Sequence, residues 1–339
     1  MSLPELYTRF VLIDRPTTFA GDNVYRKEVL PLSNLKPGPG QALVKTLWLS
    51  LDPAMRAWMD DRPNFLPPIQ IGETVRSLGV GVVLELGPDC SFKVGDLIMG
   101  FIGLRDFGII DEATTDVIRK ESYHSHTEGV VPEDYLGPMG IPGLAAYFGL
   151  YDIAHLKAGQ TLVVTAAAGA TGSMVCQLGK QAGAKVVAIA GTDEKCAWLR
   201  DDLGCDVVLN YKSPTFQADF EKDVDRFDIF FDNVAGPVLN YMMTRLRPNS
   251  VIVLSGFISQ MNKEKPEGLT NYVRMVGMRA RMEAFIITDY RERWAEGREV
   301  IAKGLADGSL KRRFEVVEGL ENVPRVYNRL FSGENKGKL

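Results

Sequence analysis

The run Ala166-Ala-Ala-Gly-Ala-Thr-Gly-Ser173 contains the spacing Ala167-x-Gly169-x-x-Gly172. In a dinucleotide fingerprint each small residue has its own task. One makes a tight turn, one lets backbone N–H groups approach a pyrophosphate, and one lets a helix pack close to a strand. Ala167 stands where the first glycine is usual, so a slightly relaxed turn is expected. Gly169 permits the phosphate approach and Gly172 the packing. The N-terminus of the helix that follows offers unpaired N–H donors and a positive dipole end to phosphates, and Ala170 and Thr171 of the run are read as cofactor residues with the two glycines. The bland alternative is a small-residue turn that only packs a helix on a sheet. The flanks decide for the cofactor. An apolar run, Thr161–Thr165, precedes the turn; a helical segment to Ala182 and a second apolar run, Val186–Ala190, follow it. Strand, glycine turn, helix and strand come in the order a phosphate cradle needs.

The end of the second strand chooses the nicotinamide cofactor. An NAD enzyme usually carries Asp or Glu there to hold a ribose diol. Here Gly191 ends the strand, and Asp193 and Glu194 come after it, in the first turn of the next helix. There they serve equally well as partners of the helix dipole. Lys195 can reach an adenosine 2′-phosphate, and Tyr211 can add a hydroxyl. Lys195 as a solvated helix lysine, and Asp193 as a ribose ligand for NAD, stay open on these residues alone.

No other chemistry is signalled. Catalytic zinc needs three protein ligands. The histidines are His124, His126 and His155, and His124-x-His126 sits in a polar stretch that reads as solvated loop. There is no Gly-x-Ser-x-Gly elbow, and no cysteine is flanked by histidine. No metal is expected, and the reactive group must be the cofactor.

These residues need a scaffold, and the 339-residue chain is long enough for two domains. With 45% hydrophobic and 24% charged residues the composition is that of a globular protein. The net charge of −4 and the lack of a basic run speak against nucleic-acid or membrane-surface partners. No apolar segment reaches the roughly 20 residues that span a bilayer. The N-terminus has no signal-peptide core, and Cys90, Cys176, Cys196 and Cys205 lack paired spacing. They read as reduced thiols of a cytoplasmic protein.

Up to about Tyr135 the chain shows short apolar or alternating runs, such as 42–46 and 80–86, between Gly/Pro turns. This predicts a compact all-β or barrel-like domain, interrupted by a short helix at 51–56. From Gly143 strands alternate with helices, which predicts an α/β doubly wound parallel sheet. Helices are expected at 144–154, 193–203, 216–224, 238–246 and 289–306. Strands are expected at 207–209, 227–231, 251–254 and 282–287, and a polar, mobile loop at 260–268. Ligands bind beyond the carboxyl ends of such strands, which points to Asn233, Ser255 and Gly256. The tail from Leu310 is expected to return to the first domain.

The chain resembles the zinc-independent medium-chain dehydrogenases/reductases, and within them the NADPH-dependent alkenal/prostaglandin/curcumin reductases. The motifs that carry the resemblance cover nearly the whole chain. They are Asp52-Pro-Ala-Met-Arg56, Gly140–Gly149, Ala166–Ser173, Gly191–Lys195, Asn210-Tyr-Lys212, Phe231-Asp-Asn233 and Gly333–Lys338. The resemblance implies a GroES-like β-rich domain over 1–136, joined by 309–339, and a Rossmann NADP-binding domain over 137–308. It implies a homodimer through the Rossmann sheets. It assigns the 2′-phosphate to Lys195 and Tyr211, and further NADP(H) contacts to Asn233, Ser255 through Met261, Phe285 through Ile287, and Asn335. The chain departs from the family at Ala54 and Met261, where tyrosines line the substrate pocket of relatives, so a wider and less polar pocket is expected. Relatives usually continue past the position of Leu339, so a shortened tail is expected too.

The implied reaction is reduction of the C=C bond of an α,β-unsaturated ketone or aldehyde, with hydride delivered to the β-carbon. Water, or Tyr272, would protonate the α-carbon, and no catalytic side chain is assigned. Two alternatives carry different chemistry: a quinone reductase on the same fold, and a non-catalytic NADPH-binding protein.

Overall fold

The computed structural model describes residues 3–21, 23–62, 64–118 and 129–339. His124 and His126 lie outside the described residues. The chain divides into two compact units. One is Met1–Leu136 with Val316–Glu334 and Leu339; the other is Gly137–Glu315 with Asn335–Lys338.

In the first unit β1 (Leu6–Leu12) and β2 (Tyr25–Pro31) form an antiparallel pair. A five-stranded antiparallel sheet is built from β3 (Gln41–Leu49), β4 (Gly79–Leu86), β5 (Leu97–Gly100), β6 (Phe107–Asp111) and β7 (Asp116–Val117). Its order is β6-β3-β4-β5-β7. The two-residue period of a strand sorts the side chains. Ala42 and Val44 join Val83, Ile98 and Ile110 in one cluster, while Leu43 joins Tyr7, Leu32 and Phe107 in another. The helix α1 (Ala54–Trp58) buries Met55 and Trp58 in a third cluster. Its Arg56 is buried and is satisfied by backbone and carboxylate. Nε donates to Thr18 O (3.1 Å), Nη2 to Pro16 O (2.7 Å), and Nη1 pairs with Asp60. The Asp52–Arg56 motif therefore has a structural use as a staple.

In the second unit six strands form one parallel sheet: β8 (Thr161–Val164), β9 (Lys185–Ala190), β10 (Val207–Asn210), β11 (Phe227–Asp232), β12 (Leu246–Leu254) and β13 (Arg281–Ala284). The order is β10-β9-β8-β11-β12-β13. Numbered from β8 this is 3-2-1-4-5-6, the Rossmann order, which reverses between β8 and β11. Leu162, Val163, Val164, Ile229, Phe230 and Phe231 are fully buried, as parallel strands covered on both faces require. The helices are α2 (Ile141–Phe148), α3 (Ala170–Gln181), α4 (Asp193–Asp201), α5 (Phe216–Asp223), α6 (Gly236–Met242), α7 (Arg274–Met278) and α8 (Trp294–Ala306). The short α9 (Val323–Tyr327) and α10 (Arg329–Ser332) belong to the first unit, where Tyr327 is fully buried.

Several expectations change; the helix read at 238–246 ends at Met242, and Leu246 already belongs to β12. The helix read at 144–154 is α2 followed by a π turn, Gly149–Ile153. The last strand stops at Ala284, and a 3-10 turn, Ile287–Arg293, precedes α8. Ile287 is drawn out of strand geometry because it packs with Phe148 and Trp294, whose indole N–H donates to Ile287 O (3.0 Å). Residues 309–315 stay with the second unit. Leu310 is buried and its N–H donates to Gly304 O (2.8 Å), and the Gln177 side chain bonds both backbone groups of Lys311. The loop at 260–268 is tied down by Gln260, as described below.

Candidate functional site

The carboxyl ends of β8, β9, β11 and β12 bring most of the expected cofactor residues together within the second unit. After β8, Thr165 Oγ1 donates to Asp232 Oδ1 (2.7 Å). Ala166 then takes a left-handed φ of 47°. An alanine held there stores roughly 1–3 kcal/mol of strain. Gly169 caps α3 in extended geometry. A Cβ on Gly172 would lie 2.3 Å from Ala166 O and 2.7 Å from Ala167 Cα, so only glycine lets the helix sit this close. A Cβ on Gly169 would meet only Ala166 O, at 3.2 Å. Gly172 is thus required by packing, whereas Gly169 keeps a backbone face clear beside Ala170 and Thr171.

After β9, a Cβ on Gly191 would lie 2.7 Å from Tyr211 Cε1. The ring covers the strand end where an acidic side chain would otherwise stand. Thr192 caps α4, its Oγ1 accepting Lys195 N–H (3.3 Å). Asp193 Oδ1 accepts Asn210 Nδ2–H (2.8 Å). Burial lowers the pKa of half-buried Lys195 from its ordinary value, and the charges of Lys212 and Arg313 lower it further; Glu194 and Glu315 oppose them.

After β11, the fully buried Asp232 organises the turn. Its carboxylate accepts the Thr165 hydroxyl and the amides of Val234 (2.9 Å) and Ala235 (3.0 Å). Burial still holds its pKa above the ordinary value. Asn233 donates its N–H to Thr165 Oγ1 (2.9 Å) and Nδ2–H to Thr165 O (2.8 Å), which fixes the amide side chain. Ser255 and Gly256 both donate N–H to Asp232 O (2.9 and 3.1 Å). Sequence reasoning named Asn233 and passed over Thr165 and Asp232. Their signal is a polar residue directly after a run of buried apolar ones, Thr165 after 162–164 and Asp232 after 229–231.

The connection after β12 begins rigidly. Gln260 is buried, its Nε2 donates to Ser259 Oγ (2.7 Å), and its Oε1 accepts Glu267 N–H (2.8 Å). The mobile loop expected at 260–268 is therefore pinned at its first residue. Met261 follows, partly exposed, and Tyr272 is 58% exposed in a 3-10 turn. Phe285 stands edge-on to Tyr290 with centroids 6.3 Å apart, and Ile287 is buried. Asn335 Nδ2 donates to Gly337 O (2.8 Å). Ala54 opens α1 in the first unit and is not among this group. Among the described residues no group of three or more His, Cys, Asp or Glu is arranged to hold a metal ion, and no helix is long and apolar enough to cross a membrane.

Residues 8–118 match the family described as the N-terminal domain of oxidoreductase, and residues 170–303 match the one described as zinc-binding dehydrogenase. The chain is 34% identical to the NADPH-dependent curcumin reductase of Escherichia coli over 339 residues, covering 98% of this chain and 95% of that protein. It is 34% identical to the NADP-dependent 2-alkenal reductase of Nicotiana tabacum over 307 residues, covering 89% and 87%. The structure of CurA from Vibrio vulnificus in complex with NADPH superposes with a TM-score of 0.89 at 35% identity, covering 98% of this chain and 97% of that one. With this sheet order, this glycine turn and these relatives, the chain belongs to the zinc-independent medium-chain dehydrogenases/reductases, in the group of the curcumin, alkenal and prostaglandin reductases.

Proposed function

We propose that this protein reduces the C=C bond of α,β-unsaturated ketones and aldehydes with NADPH. One observation carries the cofactor choice, the end of β9. Gly191 supplies no carboxylate, the Tyr211 ring fills the space beside it, and Asp193 is bonded to Asn210. Lys195 is held beside Lys212 and Arg313. Such surroundings suit a phosphate dianion better than a ribose diol.

In this reading Lys195 and Tyr211 bind the 2′-phosphate. Gly169, Ala170, Thr171 and Gly172 receive the pyrophosphate at the start of α3. Asn233, Ser255, Gly256, Phe285, Ile287 and Asn335 make the remaining contacts. When bound, the dinucleotide supplies a hydride for the β-carbon of the enone. The chain's own part is to seat, orient and exclude water. The Thr165–Asp232–Asn233 network holds one cofactor contact in a single rotamer. Met261 and Tyr272 face the substrate. Water protonates the α-carbon, with the Tyr272 hydroxyl as the side-chain alternative. Membership in a group of double-bond reductases supports the reaction class.

The protein is also read as a cytoplasmic homodimer. Among the described residues the edge strand β13 pairs with β12 alone, and Val273 and Val276, in the segment that precedes it in the chain, are 57% and 82% exposed. An edge of this kind favours a second copy. Sedimentation at micromolar concentration is expected to give twice the chain mass.

The test of function is turnover of NADPH with a panel of aryl enones, short alkenals and quinones, with product analysis. Saturated ketones or aldehydes are expected. Allylic alcohols, hydroquinones only, or cofactor binding without turnover would each refute the reading.

A further inference from the structure

Outside the βαβ unit, two cations converge on the start of α4. Arg313 Nη2 lies 3.1 Å and Lys336 Nζ 2.9 Å from the same Glu194 oxygen, Oε1. The Arg313 guanidinium also lies 5.5 Å from the ring centroid of Trp198, one helical turn further on. Both come from a braced part of the second unit. Lys338 N–H donates to Arg313 O (2.9 Å), Glu315 N–H to Lys338 O (2.7 Å), and Lys336 N–H to Glu315 Oε2 (2.7 Å). Arg313 and Lys212 both act on the charge of Lys195. Lys195, Lys212, Arg313 and Lys336 thus share a neighbourhood with the carboxylates of Glu194 and Glu315, while Asp193 is engaged by Asn210. Positive charge is in excess there, which a phosphate monoester of charge about −1.5 to −2 offsets.

We propose that Arg313 and Lys336 complete the adenosine 2′-phosphate site, and that the phosphate takes both cations over from Glu194. The proposal rests on the NADPH reading above. Glu194 shares one exposed oxygen between two cations, and exposed ion pairs of this kind are weak. A phosphate offers three acceptor oxygens and more charge, and the Arg fork can meet two of them. Trp198 keeps Arg313 in position while the partner changes. Glu194 is then a stand-in that keeps two like charges together until the phosphate arrives.

The test is calorimetric binding of adenosine 2′,5′-bisphosphate, AMP and inorganic phosphate to the full chain at fixed salt. Arg313→Gln is expected to weaken the bisphosphate about ten- to a hundredfold and to leave AMP within about twofold. The unchanged AMP affinity reports that the fold is intact. Lys336→Gln should cost several-fold in the same selective way, and Arg313→Lys should lose less than Arg313→Gln. Glu194→Gln should tighten the bisphosphate at low salt, and the gain should fade as salt rises. The proposal is overturned if Arg313→Gln leaves the bisphosphate unchanged or weakens AMP equally. Weaker bisphosphate binding by Glu194→Gln also overturns it. So does inorganic phosphate binding as tightly as the bisphosphate. If the wild type fails to prefer the bisphosphate over AMP, the NADPH reading itself falls first.

Discussion

The turn after β8 and the connection after β12 leave the same end of one sheet, yet they are held in opposite ways. In the first turn, backbone meets backbone: a Cβ on Gly172 would be 2.3 Å from a carbonyl oxygen, and Ala166 is bent to positive φ. The second starts with backbone bonds to Asp232 and a buried Gln260, then runs out to the partly exposed Met261 and the exposed Tyr272. Residue types in the turn are dictated by distances that no rotamer change relieves. Residue types in the connection are limited mainly by what they face. A scaffold of this kind keeps its cofactor while its substrate varies, which fits the spread of substrates named among the relatives.

If that contrast is right, the largest effects lie in the turn, and they separate. Gly172→Ala forces a backbone shift and should cost about 3 kcal/mol of unfolding free energy, with cofactor affinity falling more than tenfold. Gly169→Ala meets one contact at 3.2 Å and should change stability by less than about 1 kcal/mol, while still weakening NADPH by blocking the approach to α3. Denaturant unfolding and cofactor titration of both variants check the pair. Equal stability losses would erase the distinction between packing glycine and phosphate glycine.

Asp232 stands where the two regions meet, since it bonds Thr165 on one side and Ser255 and Gly256 on the other. In Asp232→Asn one oxygen becomes an NH2 group. Its donors then face a backbone N–H, Ala235 if Oδ2 is replaced, and a buried donor is left unsatisfied. The expected loss is about 1–3 kcal/mol, with NADPH affinity reduced as the turn that carries Asn233 loosens. A variant as stable as the wild type would mean that the buried carboxylate does not organise the turn.

The connection should answer in selectivity instead of stability. Met261→Tyr adds a ring and a hydroxyl where the side chain is only partly buried. The ratio of kcat/KM for a large aryl enone over a short alkenal should fall several-fold, because the ring removes volume and its donor can stabilise developing charge on a small substrate. Stability should change little. An unchanged or rising ratio would remove Met261 from the substrate side.

The same contrast explains what the sequence discloses. The βαβ unit is legible because buried apolar runs and obligatory small residues leave few alternatives. The π turn after α2 is not, since one extra residue per turn leaves the apolar pattern of 144–154 nearly intact. The end of β13 is not, because Phe285 and Ile287 look like strand residues until the Trp294 indole claims the Ile287 carbonyl. Residues 310–315 read as a returning tail, and tertiary contacts, those of Leu310, Lys311 and Arg313 among them, hold them in the second unit. Ala54 and Met261 became visible as departures from a family pattern, a comparison of side chains that no local periodicity contains.

The smallest expected effect concerns the charge on Lys195. A lysine holds a phosphate only when protonated, so the complex binds that proton more tightly than the free protein does. Affinity for a 2′-phosphate is then fully present below the free-protein pKa of Lys195 and falls as pH rises through it. Burial, with Lys212 and Arg313, lowers that pKa from the ordinary lysine value of 10.5, so the fall begins at a lower pH than for an exposed lysine. For one proton its slope does not exceed about tenfold per pH unit. Binding of adenosine 2′,5′-bisphosphate from neutral to alkaline pH, corrected by the AMP profile, measures it. Lys195→Arg should flatten the profile on this side, because guanidinium stays charged. Lys212→Gln removes one cation that opposes the Lys195 charge and should move the fall to higher pH. A profile that falls in the same place in Lys195→Arg would assign the titration to another group, and Lys195 would then be no more to the phosphate than a neighbour.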